Sequence, residues 1–98
     1  MTIEKTKDGS VLTLAISGRL DTMTSPQFEK VIQSELDGIS ELIIDFVDLD
    51  YISSAGLRVL LSAQKSMNKK GKMTVKNVNE TVKEILEVTG FIDILTIE

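Results

Sequence analysis

The run Leu42-Ile43-Ile44-Asp45-Phe46-Val47 is apolar on both faces of a pleated strand, and it is followed within six residues by Ser53-Ser54-Ala55-Gly56-Leu57. A strand of that kind is covered on both sides or flanked by parallel neighbours. It passes through Asp48-Leu49-Asp50-Tyr51-Ile52 into the mouth of a helix that buries Leu57, Leu60, Leu61, the stem of Gln64 and Met67. Strand, helix and next strand in series require a right-handed crossover, so this stretch commits the chain to an α/β fold. It also sets an acidic turn and two hydroxyls beyond a strand's carboxyl end, where open α/β sheets gather their sites.

The rest of the chain fits around that unit. Asp8-Gly9 predicts a hairpin turn between residues 2–7 and a strand over 11–17 whose Leu12, Leu14 and Ile16 share one face. Gly18 to Asp21 leaves that strand, and Thr22 to Ser25 is a polar loop. Ser25-Pro26 reads as an N-cap with proline at the first helical position. The helix that follows carries Phe28, Val31, Ile32 and Leu36 as one stripe and stops at Gly38. The second helix opens at Ser53 or Ser54 and ends at Gly71, read as a left-handed C′ glycine. Residues 73–78 form a strand, Asn79 caps a third helix striped by Val82, Ile85 and Leu86, and Gly90 ends it. Phe91 to Ile97 predicts a short last strand. The expectation is one domain over residues 1–98 with the order β-β-α-β-α-β-α-β. A mixed sheet of four to five strands would carry three or more packed helices.

Composition narrows the chemistry. Forty-two per cent hydrophobic and 27% charged residues support a packed core. No apolar run reaches the ~20 residues that a membrane-spanning helix needs, and the N-terminus has no signal-peptide h-region. A net charge of −4 disfavours nucleic acid and anionic membrane as partners. The cluster Lys69-Lys70-Gly71-Lys72 reads as positive charge at a helix C-terminus. There is no cysteine and no histidine, which removes disulfides, cysteine nucleophiles, Ser-His-Asp catalysis and the usual zinc sites. A nucleophilic Ser54 would need a lysine base, and Lys65 lies about three turns down the same helix. No Gly-rich phosphate loop or aromatic cage is present. The expectation is a cytoplasmic monomer that is not an enzyme and has no cofactor or metal.

Ser54 has two readings from the residues alone, a helix N-cap whose oxygen accepts an orphan backbone N–H, or a hydroxyl presented to a visitor. One N-cap needs one serine, and the second hydroxyl is left at an uncrowded helix mouth beside Ala55 and Gly56. A phosphate there would meet unpaired N–H groups and the positive end of the helix dipole, so it would not unfold the domain. Its charge of about −1.5 to −2 would act outward on a docked partner. The expected partner surface comprises the loop from Asp21 to Thr24, with Asp21, Thr22 and Thr24 singled out, and the Asp48–Ser54 turn with Asp48, Asp50, Ser53 and Ser54. It also takes in the exposed face of the second helix including Arg58, the last as a rim contact or a solvated charge. Asp45 is read as structural, accepting loop N–H bonds.

Three segments resemble the STAS domain, and among its subfamilies the bacterial anti-sigma-factor antagonists. These are Gly18-x-Leu20-Asp21, Leu49-x-Tyr51-Ile52-Ser53-Ser54-Ala55-Gly56-Leu57, and Val88-Thr89-Gly90-Phe91. The resemblance implies a phosphoacceptor at Ser54, with Ser53 as the weaker alternative. It implies two partners, an anti-sigma factor that is also a serine kinase and a PP2C-type phosphatase. The unphosphorylated form would bind the anti-sigma factor and free the sigma factor, regulating transcription. Asp21 matches the family's acidic residue near the acceptor. The family commonly has aspartate immediately before the acceptor, and this chain has Ser53. A second role within the family is constitutive docking on a transporter or larger signalling assembly, without phosphorylation.

Overall fold

The computed structural model describes residues 1–98. Strands β1 (Thr2–Asp8) and β2 (Val11–Leu20) form an antiparallel hairpin in which Asp8 pairs with Val11. Gly9 at φ +62 takes the first central position of the two-residue turn, a conformation that favours glycine. Helix α1 (Ser25–Glu35) leads back to β3 (Glu41–Asp45). A short strand β4 (Leu49–Ile52) precedes α2 (Ser54–Asn68), followed by β5 (Lys72–Lys76) and α3 (Glu80–Val88).

The sheet runs β1-β2-β3-β5, with β3 parallel to both neighbours, as its apolar sequence requires. Leu14, Ile44 and Val75 stand in register across three strands, as do Leu12, Leu42 and Met73. All six are at most 1% exposed and form the floor of one core with Phe28 and Ile32 of α1 and Leu60, Ala63 and Met67 of α2. Burying a side chain of this size is worth roughly 1.5–3 kcal/mol, so the helix-facing side of the sheet dominates stability. Lys5 is on the same side and reaches Glu35 of α1 at 2.8 Å.

The expected mixed sheet with three helices is present, and several details differ from the sequence reading. Leu49–Ile52 is a strand rather than loop, because Leu49 and Ile52 bury completely and pair in parallel with the far half of β2. β2 accordingly runs on to Leu20, past an irregularity at Gly18 (φ +91) whose N–H donates to the Asp48 carbonyl. β3 stops at Asp45, and Val47 turns into solvent at 59% exposure. β5 ends at Lys76, since Asn77 adopts the left-handed region at φ +59. Phe91–Asp93 is a 3₁₀ turn, and the expected last strand reduces to one parallel bridge between Ile97 and Val75. The Phe91 carbonyl accepts from both Ile94 and Leu95, which folds the segment inward and buries Leu95.

Two helix ends also differ. The N-cap of α1 is Thr24, so Ser25 is the first helical residue. Helix α2 ends at Asn68, and Gly71 lies beyond its cap without a left-handed backbone. The glycine there answers to space, since a Cβ at Gly71 would lie 1.9 Å from the Ser40 carbonyl oxygen.

Candidate functional site at the mouth of helix α2

β2 and β4 end side by side, with Leu20 opposite Ile52 and the Ser53 N–H donating to the Leu20 carbonyl at 2.9 Å. This places the loop after β2 against the start of α2. Gly56 makes the fit possible, because a Cβ on it would meet Leu20 Cγ at 2.8 Å and Ile52 Cγ1 at 2.9 Å. The glycine of the Ser-Ala-Gly-Leu run therefore seats the helix on the two strand ends.

The two serines have different fates. Ser53 is the N-cap by backbone, at φ −99 and ψ 176, yet its side chain makes no capping hydrogen bond. Its Oγ is buried and has no partner. Ser54 is the first residue of α2 and is exposed. The first N–H groups of a helix have no partner within it, and the first turn of α2 carries no acidic residue to offset the dipole. An anion carried by Ser54 would complete that end.

The loop over the mouth is held by Asp21. Its Oδ1 accepts from the Met23 N–H at 3.0 Å and the Thr24 N–H at 3.2 Å, and it lies 3.2 Å from the Thr24 hydroxyl. Thr24 Oγ1 accepts the Asp21 N–H and lies 2.8 Å from the Arg19 carbonyl. Partial burial pushes the Asp21 carboxyl up. The Thr24 and Met23 N–H groups, the Thr24 hydroxyl and the Arg19 charge outweigh it and hold the pKa below the ordinary 3.8. Asp21 and Thr24 thus spend their polar atoms inside the loop, while Thr22 and Met23 face outward.

The structure brings Asp21, Thr22, Thr24, Ser53, Ser54 and Arg58 together around this mouth. Thr22 and Arg58 line the same shallow groove between α1 and α2. Asp48 does not join them. It is exposed in the turn before β4 and lines a separate hollow with Glu4, Ser17 and Val47. Asp50 projects into solvent from the middle of β4. Asp45 accepts the Val47 N–H at 3.0 Å and the Asn77 side-chain N–H at 2.9 Å, the structural role expected of it.

Met23 lies in the Asp21 to Thr24 loop expected on the partner surface and was not singled out there; at 86% exposure it is a large apolar side chain in an otherwise polar loop. The residue that sequence reasoning overlooked is Arg19. Arg19 stacks over the Tyr51 ring at 4.5 Å and lies 3.8 Å from Asp21 Oδ2. It braces the loop against β4, a juxtaposition set by the unforeseen β2–β4 pairing.

The family model of the STAS domain matches residues 2–98. The chain belongs to the STAS domain family. BtrV of Bordetella bronchiseptica, assigned as an anti-sigma factor antagonist, is 29% identical over 99 residues, covering 99% of this chain and 85% of that protein. An anti-sigma factor antagonist of Mycobacterium paratuberculosis superposes with a TM-score of 0.88 at 22% identity, covering 98% and 83% of the two chains. The Bacillus cell fate determinant SpoIIAA in its phosphorylated form gives 0.77 at 15% identity, covering 99% and 91%. A sulfate transporter family protein of Wolinella succinogenes has the same fold, at 0.77 and 21% identity, covering 88% and 71%. No helix of this chain is long and apolar enough to cross a membrane.

Proposed function

We propose that this STAS domain is an anti-sigma-factor antagonist switched by phosphorylation of Ser54. The observation that carries the reading is the contrast at the mouth of α2, with Ser54 exposed and the Ser53 hydroxyl buried. A kinase can reach only the former without opening the fold. In the unphosphorylated state the mouth of α2, Thr22, Met23 and Arg58 would dock on an anti-sigma factor that is also a serine kinase, and the sigma factor would be released. In the kinase step Ser54 Oγ bonds to the γ-phosphorus of ATP, the β–γ bridging bond breaks, and ADP leaves. The hydroxyl proton passes to a base on the kinase. A PP2C-type phosphatase would reverse the state by hydrolysis, giving inorganic phosphate. The new charge of about −2 sits on the docking surface, so the complex separates while the core is untouched. The domain supplies no catalytic group of its own.

The likeness to SpoIIAA, solved in its phosphorylated form, supports the reading at the level of fold. The transporter neighbour keeps a second reading in view, constitutive docking without phosphorylation. Incubation with the cognate kinase and ATP, read by intact mass, separates them. The expected result is one added phosphate on wild type and on Ser53→Ala, and none on Ser54→Ala. No transfer, together with equal partner affinity for wild type and Ser54→Asp, would favour the docking subunit. Transfer to Ser53 would overturn the assignment.

A further inference from the structure

Ser54 and Arg58 are four residues apart on α2, so their side chains occupy one strip of helix surface. Both are exposed, while Gly56 and Leu57 between them are buried. The Arg58 guanidinium has no carboxylate within 4.0 Å and makes no side-chain hydrogen bond, whereas Arg19 is engaged by Tyr51 and Asp21. Arg58 lines a groove of about 210 Å³ with Thr22, Ser25, Pro26, Ala55 and Val59, and the acid on its far wall is Glu29 of α1. The guanidinium at the mouth of α2 is therefore uncommitted, with a hydroxyl one turn before it.

We propose that Arg58 is the internal partner of the Ser54 phosphate, closing an i,i+4 ion pair along α2 when that serine is modified. The proposal rests on the reading of Ser54 as the phosphoacceptor and says how that site acts. A phosphate offers acceptor oxygens in the geometry a guanidinium fork pairs with, and an anion N-terminal to a cation is the favoured order along a helix. Modification then changes two groups at once. A dianion appears at Ser54, and the cation that an acidic partner residue could have used is drawn away.

The test uses the full 98-residue chain with phosphoserine encoded at position 54, so that no kinase is needed. Phosphorus NMR follows the second ionisation of the phosphate, near pH ~6 in free phosphoserine. It is compared in the wild-type background, Arg58→Gln and Arg58→Lys. Pairing predicts a midpoint in the Arg58 protein about 0.3 pH unit below that of Arg58→Gln. Arg58→Lys should fall between, and the gap should shrink in 1 M salt. A merely structural role for Arg58 would not move this titration. Identical midpoints at low salt in the Arg58 and Arg58→Gln proteins would overturn the proposal. A clear gap combined with no transfer from kinase and ATP would strike the phosphoacceptor reading alone, because the pairing would stand without its use.

Discussion

The two ends of helix α2 are built on opposite plans. Its C-terminal end is closed by backbone, with the Gly71 N–H donating to the Met67 carbonyl at 2.7 Å and the Lys72 N–H to the Ser40 carbonyl at 3.0 Å. The Lys70 ammonium adds a bond to the carbonyl of Leu36, the C-cap of α1, at 2.5 Å. At the N-terminal end the first-turn N–H groups wait for a partner, Ser53 Oγ caps nothing, and Ser54 and Arg58 face solvent. The closed end fixes the helix on the sheet, which frees the open end to accept or lose charge without threatening the fold. Substitutions that invade the closed end should therefore cost stability, and those at the open end should cost binding.

Gly71→Ala is the severest test of that division. Its Cβ would lie 1.9 Å from a backbone oxygen, and backbone cannot swing aside as a side chain would. We expect a loss of about 3 kcal/mol or more, seen in a thermal melt as a midpoint lower by at least about 10 °C. A melt shifted by only a degree or two would mean that the closed end is looser than described.

Gly56→Ala falls between the two plans, since Gly56 belongs to the open mouth but touches the core. The atoms it would meet at 2.8–2.9 Å belong to the Leu20 and Ile52 side chains, which have some freedom to give. The cost should be about 1–3 kcal/mol by urea unfolding. Partner affinity should fall too, because α2 would lift from the strand ends and carry Ser54 with it. Loss of stability with full affinity would show that the docking surface does not depend on how the helix is seated.

Met23→Ser probes the open end through binding alone. The side chain is 86% exposed, so its removal should leave the melting midpoint unchanged. Burial of a methionine in a partner is worth about 1–2 kcal/mol, or roughly a tenfold loss of affinity by calorimetry. Unchanged affinity would exclude Met23 from the interface.

These contrasts explain what the sequence could and could not disclose. Period-two and helical apolar patterns located β2, β3 and all three helices, because burial dictates those residues one at a time. The two serines suggested one capping hydroxyl and one spare; in the structure neither side chain caps the helix, and burial distinguishes them, with Ser53 Oγ buried and Ser54 exposed. Leu49–Ile52 was unreadable as a strand because only its two ends are buried, and its pairing with β2 is long-range. The same pairing carries Asp48 away from the mouth into a hollow lined by Glu4, Ser17 and Val47, so proximity in sequence overstated its share in the site. Gly71 misled in another way, since a glycine required by a neighbour's carbonyl looks in sequence like one required by its own φ.

Ser53→Ala probes the open end at small amplitude. The hydroxyl it removes is buried without a partner, so its loss should leave stability within about 0.5 kcal/mol of wild type, on the favourable side. Phosphate transfer to Ser54 should persist. Marked destabilisation would mean that the Ser53 side chain caps the helix in solution.

The smallest effect is acid dependence, and it too separates the ends. Asp21, beside the open mouth, is held below its ordinary 3.8 in the folded state. Partial burial opposes that shift, and the Thr24 and Met23 N–H bonds outweigh it. Glu35 of α1, remote from the mouth, is held below its ordinary 4.5 by the hydrogen bond and charge of Lys5, against a smaller opposing effect of burial. A carboxyl with a depressed folded pKa contributes stability that is complete above the unfolded value and lost as pH falls through the folded one. Both contributions should therefore be intact at pH 6 and fade below about pH 4. Lys5→Gln should remove the Glu35 part of that slope and leave the Asp21 part, a small change because the Lys5–Glu35 pair lies at the surface, its two side chains 49% and 31% exposed. Denaturation midpoints measured between pH 6 and pH 3 check it. An equally steep acid loss in Lys5→Gln would place the sensitivity in the Asp21 loop, and the open end would then govern stability as well as docking.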